Sequence, residues 1–197
     1  MKIVAGTLIA EDCRVFLFRR GTEAGPFADL NALRGHLAAC PGMPTGDLTD
    51  FGRGCAAAKV AMLAAILTAF DHGAPLPKDT DILGWNGSGC TEDNRRFWVD
   101  YTANGRESGR GSLFVATLPT TPFCEAAITL GCRGAVAYCR TAPDTTKLPE
   151  LIAPDRMTLA GEVRGAAACM VLLTSETAEY PRFPTLAELF LSLRRPL

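Results

Sequence analysis

Covalent chemistry in this chain would have to come from its eight cysteines and two histidines. Three thiols, Cys124, Cys132 and Cys139, fall in "SLFVATLPTTPFCEAAITLGCRGAVAYCRTAPD", residues 112 to 144, which reads strand, proline turn, short helix, glycine turn, strand. Cys139 would leave the last strand beside Arg140. A neighbouring guanidinium favours the thiolate, the form that accepts an acyl group from a thioester. The competing reading is a packed strand residue, because free cysteine is among the most buried residue types. Cys124 falls in the first turn of a helix that opens at Pro122, where the positive dipole end lowers a thiol's pKa, but no neighbour in sequence supplies a base. Cys132, in the turn between Gly131 and Gly134, reads as a filler or loop residue. His36 sits in an irregular early stretch. His72 ends a long helix, where an imidazolium would complement the negative dipole end.

Other chemistries recede. No two cysteines have the two-residue spacing of zinc or redox motifs, so neither a metal nor a disulfide framework is expected, and no cofactor. Gly84, Gly87 and Gly89 follow a strand and precede a helix, yet their Gly-x-x-Gly-x-Gly order reverses the dinucleotide fingerprint and reads as a structural turn. Trp85, Phe97, Trp98 and Tyr101 would line a groove or, more commonly, fill a core. Arg95, Arg96, Arg106, Arg110 and Arg133 would meet an acidic carrier protein or form an ordinary solvated surface. A net charge of −1 with interspersed signs offers no basic stripe, which excludes a nucleic-acid partner.

The elements that must position these residues follow from composition and period. At 197 residues the chain is expected to form one domain, residues 1–197, with a substantial core. Its 48% hydrophobic content suits well-covered strands and a buried oligomer face. The longest apolar run, Ala56 to Phe70, is about 15 residues, short of the roughly 20 a membrane span needs, and is expected as a buried helix. "MKIVAGTLIAEDC" lacks a convincing cleavage site and reads as a first strand, which places the protein in the cytoplasm with its thiols reduced.

Lys2 to Ile9 is β-rich, and Arg14 to Phe18 reads either as its strand partner or as the start of something helical. Gly21 to Asp50 is loop by its turn chemistry, with room for short helical pieces. Thr49 or Asp50 caps a long helix that Gly73 ends in a left-handed conformation. Asp81 to Asn86 is a strand. Thr91 caps a helix stopped at Asn104-Gly105, and Thr121 caps the Pro122 helix, which ends at Gly131. Ala135 to Cys139 is the next strand, with at most a two-turn helix around Leu148 to Ile152 after it. "MTLAGEV" and "AAACMVLLTSE" form an antiparallel hairpin around Arg164-Gly165. Thr185 and Glu188 make a capping box for a last helix with Leu186, Leu189, Phe190 and Leu193 on one face.

Four stretches in this order resemble the N-terminal half of β-ketoacyl synthases, condensing enzymes of the thiolase-like fold. They are "LTDFGRGCAAAKVAMLAAI", "DILGWNGSGCTEDNRRFWVDY", "SLFVATLPTTPFCEAAITLGCRGAV" and "LAGEVRGAAACMVLLTSE", between about Leu48 and Ser175. The resemblance implies an α/β half-unit, a five-stranded mixed sheet in the order β-α-β-α-β-α-β-β with helices on its faces; the family uses that unit twice. It also implies a nucleophilic cysteine just after the third strand, at a helix start. Counting from Gly134, that position falls near Pro143, in "RTAPDTTKL", where no cysteine stands. Proline offers neither nucleophile nor amide proton. The family's histidines come from its C-terminal half, and only His36 and His72 exist here.

The implied role is therefore a stand-alone, non-catalytic partner or scaffold in a pathway of fatty-acid or polyketide type. It would form a homodimer, or a heterodimer with a complete ketosynthase, through the third strand at Ala135 to Cys139, and contact acyl carrier protein. The alternative is an acyltransferase or condensing enzyme in which Cys139 is the nucleophile and a partner chain brings the histidines.

Overall fold

The computed structural model describes residues 2–44, 46–86, 90–105, 111–141, 147–176 and 186–189. Its organising helix, α2 (Ala56–His72), is apolar on nearly every side, and its buried residues run almost unbroken from Ala57 to Asp71. A helix of this kind has no solvent face and must be covered all round. Alanines at 57, 58, 61, 64, 65 and 69 keep its surface shallow, so a sheet lies close beneath it and α5 (Thr121–Leu130) closes over it.

The sheet has seven strands: β1 (Lys2–Ile9), β2 (Val15–Leu17), β3 (Glu23–Ala24), β4 (Asp81–Asn86), β5 (Val136–Tyr138), β6 (Thr158–Arg164) and β7 (Ala167–Thr174), in the order β3-β2-β1-β7-β6-β4-β5. β4 runs parallel to both β5 and β6, and the other pairings are antiparallel. The expected hairpin is present, with Glu162 opposite Cys169 and Arg164 opposite Ala167.

One face of the sheet packs against α1 (Leu30–Ala39), α2 and α5. The other covers itself with Leu148 of α6 (Leu148–Leu151) and a helical turn carrying Leu186 and Leu189. The remaining helices are α3 (Thr91–Asn104) and α4 (Gly111–Ala116). Among the described residues no helix is long and apolar enough to cross a membrane.

The sheet exceeds the expected five strands because the chain doubles back after β1. Cys13 adopts a left-handed φ of 56°, and the Ala10 and Arg14 backbones bond across the turn at 2.9 Å. That reversal lays Val15–Leu17 against Thr7–Ile9 as a strand, and β3 adds beyond it.

The stretch from Ser112, expected as a strand, is helix α4. It has no neighbouring strand to pair with; Phe114 packs instead on Phe97 of α3, with centroids 5.9 Å apart. α2 begins at Ala56 rather than after Thr49 or Asp50: residues 51–54 form turns that bury Phe51 beneath Arg34 and Lys59. Its N-cap is Cys55, and Gly73 closes it with φ 79° as expected. α3 starts at Thr91 with Cys90 as cap, and α5 starts at Thr121 with Thr120 as cap. The loop region contains a full helix, α1, whose cap Asp29 accepts the Ala32 amide at 2.8 Å.

Two buried carboxylates join the layers. Asp71, 1% exposed, accepts the backbone N–H of Gly6 at 2.9 Å, Arg19 at 2.8 Å and Arg20 at 2.9 Å, tying the end of α2 to β1 and to the turn after β2. Glu162 accepts the Leu186 amide and the Arg164 Nε–H, both at 3.0 Å. It thus holds the start of the terminal helical turn, for which the sequence suggests Thr185; Thr185, Phe190 and Leu193 lie outside the described residues.

Removing a buried acceptor strands its donors, at roughly 1–3 kcal/mol for each fully buried group. Asp71→Ala is therefore expected to lower the unfolding free energy by about 2–4 kcal/mol, read as a shifted urea midpoint at unchanged slope. A methyl group at Gly84 would overlap the Phe123 ring. Gly84→Ala is expected to destabilise by about 1–3 kcal/mol, and pairing it with Phe123→Leu should recover part of that loss in a double-mutant cycle.

Candidate functional site

The carboxyl ends of the parallel strands are where an open α/β sheet places its chemistry. Here β4 ends in buried Trp85 and Asn86, and β5 ends in Tyr138, followed by Cys139 and Arg140. Strand alternation sends Tyr138 and Cys139 to opposite faces. The Tyr138 ring meets Phe123 beneath α5 at 6.3 Å, and burial together with nearby Cys90 pushes its hydroxyl pKa up.

Cys139 donates its amide to the Gly84 carbonyl at 2.8 Å, and its half-buried side chain joins the cluster of Trp85, Leu148, Ile152 and Leu186 on the far face. Its side chain therefore packs among apolar residues at a strand exit. The position near Pro143, where the resemblance puts a nucleophile, lies outside the described residues.

The structure does not bring the histidines to this strand end. His72 Nδ1 faces the Ala74 carbonyl at 3.1 Å, at the far end of α2, and His36 Nε2 lies 3.4 Å from the Cys40 sulfur. Among the described residues neither hydrogen-bonds to Cys139. Cys124 is exposed on α5. Cys132 is half-buried against the main core, and burial raises its pKa.

Of the glycines, Gly84 serves the core: it lies opposite Gly161 in β6, and Phe123 fills the shallow seat the pair leaves, its Cε1 being 3.3 Å from where a Gly161 Cβ would stand. Gly87 and Gly89 lie outside the described residues. Arg95 forks onto the Glu92 carboxylate at 2.9 and 3.0 Å, and Arg96 reaches the same group at 3.9 Å. These are solvated ion pairs on one helix turn. Arg106 and Arg110 are outside the described residues.

Two features escaped the sequence reading. The first is a junction where α2 and α3 begin. At this junction burial, as the largest influence, raises the pKa of Cys55, Cys90 and Asp93, and the Asp93 charge adds to the rise at both thiols. No spacing rule joins Cys55 to Asp93; only the late start of α2 puts them together.

The second is aromatic exposure. Trp85 is core, as expected, but Trp98 is 63% exposed and Phe114 53%, on two helices that bury no residue at all. Phe97 and Trp98 each stack on Tyr101, at 5.9 and 5.6 Å. The sequence offered these rings as groove lining or core filling, and the structure turns Trp98 out to solvent.

No protein-family profile matches the chain, and no curated protein sequence does. Among solved structures, one chain of a complex from Xenorhabdus doucetiae between the ketosynthase ApeO and its chain length factor ApeC superposes with a TM-score of 0.61 at 12% identity. The match covers 98% of this chain and 91% of that one. The chain therefore has a ketosynthase-like α/β fold, with a mixed sheet and helices on its faces.

Burial orders the thiols. Cys13 and Cys169 are buried, and desolvation pushes both pKa values up, Cys169 well above the ordinary thiol range with Glu162 adding to the effect. Both should resist iodoacetamide in the native protein near pH 8 and become labelled only in guanidinium, as peptide mapping would show. Native labelling of Cys169 would contradict this packing.

Proposed function

We propose that the chain is a non-catalytic partner subunit of a ketosynthase in a fatty-acid or polyketide type pathway. The observation that carries the reading is an unfinished edge. β5 closes one side of the sheet order, and its alternate residues Val136 and Tyr138 do not bond to β4, so their N–H and C=O groups point outward. Val136 is 37% exposed. A row of unpaired backbone groups on an apolar strand is a template for a partner strand. The helices α3 and α4 also leave Trp98 and Phe114 exposed to solvent. Together they offer a polar edge for register and an apolar area for affinity.

Two further points support the role. The chain and the matched chain are nearly equal in length, as their mutual coverage requires, and that structure joins a ketosynthase to a chain length factor. Among the described residues, no thiol at the sheet's carboxyl end lies within reach of a histidine. Contact with an acyl carrier protein belongs to the same proposal, through a surface whose Arg95 and Arg96 are already engaged by Glu92.

Co-expression with the ketosynthase encoded nearest to it, followed by size-exclusion chromatography with light scattering, should yield a stoichiometric complex. Val136→Pro combined with Trp98→Glu should weaken it by about tenfold or more while leaving the circular dichroism unchanged. A monomer indifferent to any ketosynthase would defeat the proposal. Transfer of an acyl group from carrier thioester to Cys139, abolished by Cys139→Ala, would instead make the chain an acyltransferase.

A further inference from the structure

The one cysteine–histidine pair among the described hydrogen bonds lies far in sequence from the strand end, on α1. Cys40 is the C-cap of α1, and its Sγ stands 3.4 Å from Nε2 of His36. That is the separation at which a base takes a thiol's proton. The imidazole packs against the Phe27 ring, with centroids 5.0 Å apart, which restrains its orientation. His36 falls in the last turn of α1.

Both side chains line a cavity of about 150 Å³ beneath the helix. Its floor is hydrocarbon: Val15 and Leu17 of β2, Leu33 of α1, and Leu67 and Phe70 of α2. An apolar cavity near this size, about 150 Å³, holds a six-carbon ring in another protein. Glu23 of β3 is the one carboxylate among the described lining residues, and the Arg14 guanidinium lies 3.7 Å from it. A thiol, a base within bonding distance and an apolar chamber form a constellation that packing alone does not require.

We propose that Cys40 is an S-acylation site, with His36 as its base and the chamber as the seat of a short acyl chain delivered as a thioester. In the step, His36 in its Nδ1–H tautomer takes the Cys40 proton on Nε2. The thiolate adds to the thioester carbonyl, the Cys40 S–acyl bond forms, and the carbon–sulfur bond to the donor breaks. The departing thiolate regains the proton from His36. One thiol and one thioester are exchanged for another pair, with no oxidant or metal. This site stands independently of the partner role, which uses β5 and α3.

The probe is the hexanoyl thioester of N-acetylcysteamine, incubated with the full chain and read by intact mass and peptide mapping. One hexanoyl group per chain is expected on Cys40, lost in Cys40→Ser and retained in Cys139→Ala. Hexanoyl should transfer faster than acetyl, and dodecanoyl no faster than hexanoyl. His36→Gln should slow transfer about tenfold or more near pH 7, and by much less near pH 9.5, where a thiol ionises without help. A purely structural histidine would show no such pH-selective loss. Label spread over several cysteines, a rate indifferent to His36→Gln, or no transfer at all would each overturn the proposal, whatever the outcome with a ketosynthase.

Discussion

The seating of one aromatic ring on a bare patch of sheet is the contact on which this architecture turns. Gly84 and Gly161 face each other across β4 and β6, and the Phe123 ring, fully buried, occupies the space their side chains would have taken. Burying a ring of this size contributes about 1.5–3 kcal/mol, but its geometric effect is larger than that figure. It sets the height of α5 above the sheet, and α5 in turn closes over α2 and delivers the chain, through the left-handed Gly131, to β5. Tyr138 of β5 completes the seat from the side. An added methyl at Gly84 would lift the helix and move the strand from which Cys139 emerges.

Asp71 holds the opposite end. A carboxylate inside a core is tolerated only with its acceptor capacity filled, and three backbone amides fill it here. The result is a rigid body around α2: glycines seat α5 at one place, and a buried charge ties β1 and the β2 turn at another. Against that body, α3 and α4 contribute no buried residue and carry their aromatics outward. A saturated core thus stands in the same chain as an apolar ridge left to solvent.

The thiols divide along the same line. Those inside the body, Cys13 and Cys169, are desolvated and held neutral by burial. At the helix starts, burial is the largest influence on Cys55 and Cys90 and raises the pKa of both. A helix N-terminus is therefore not sufficient to activate a thiol when the surrounding packing removes water. Cys40, on a surface helix over an apolar chamber and beside an imidazole, has the surroundings that the strand-end thiol lacks.

What the sequence determined by itself was local and periodic. The all-apolar α2, the terminal hairpin, the strand near Ala135, and the glycine stops at 73, 105 and 131 follow from residue spacing and from the conformations that only glycine adopts freely. These persist because neighbouring residues impose them. The tertiary structure decided what depends on partners distant in the chain. Val15–Leu17 became a strand because β1 lay beside it, and Ser112–Ala116 became a helix because no strand did. Cys139 turned into an apolar cluster, and Trp98 outward, because of what packs or fails to pack on each side. Hydrogen-bond ladders and burial are properties of pairs of segments, so a single stretch of sequence states a preference for them, and only the assembled sheet settles which preference is satisfied.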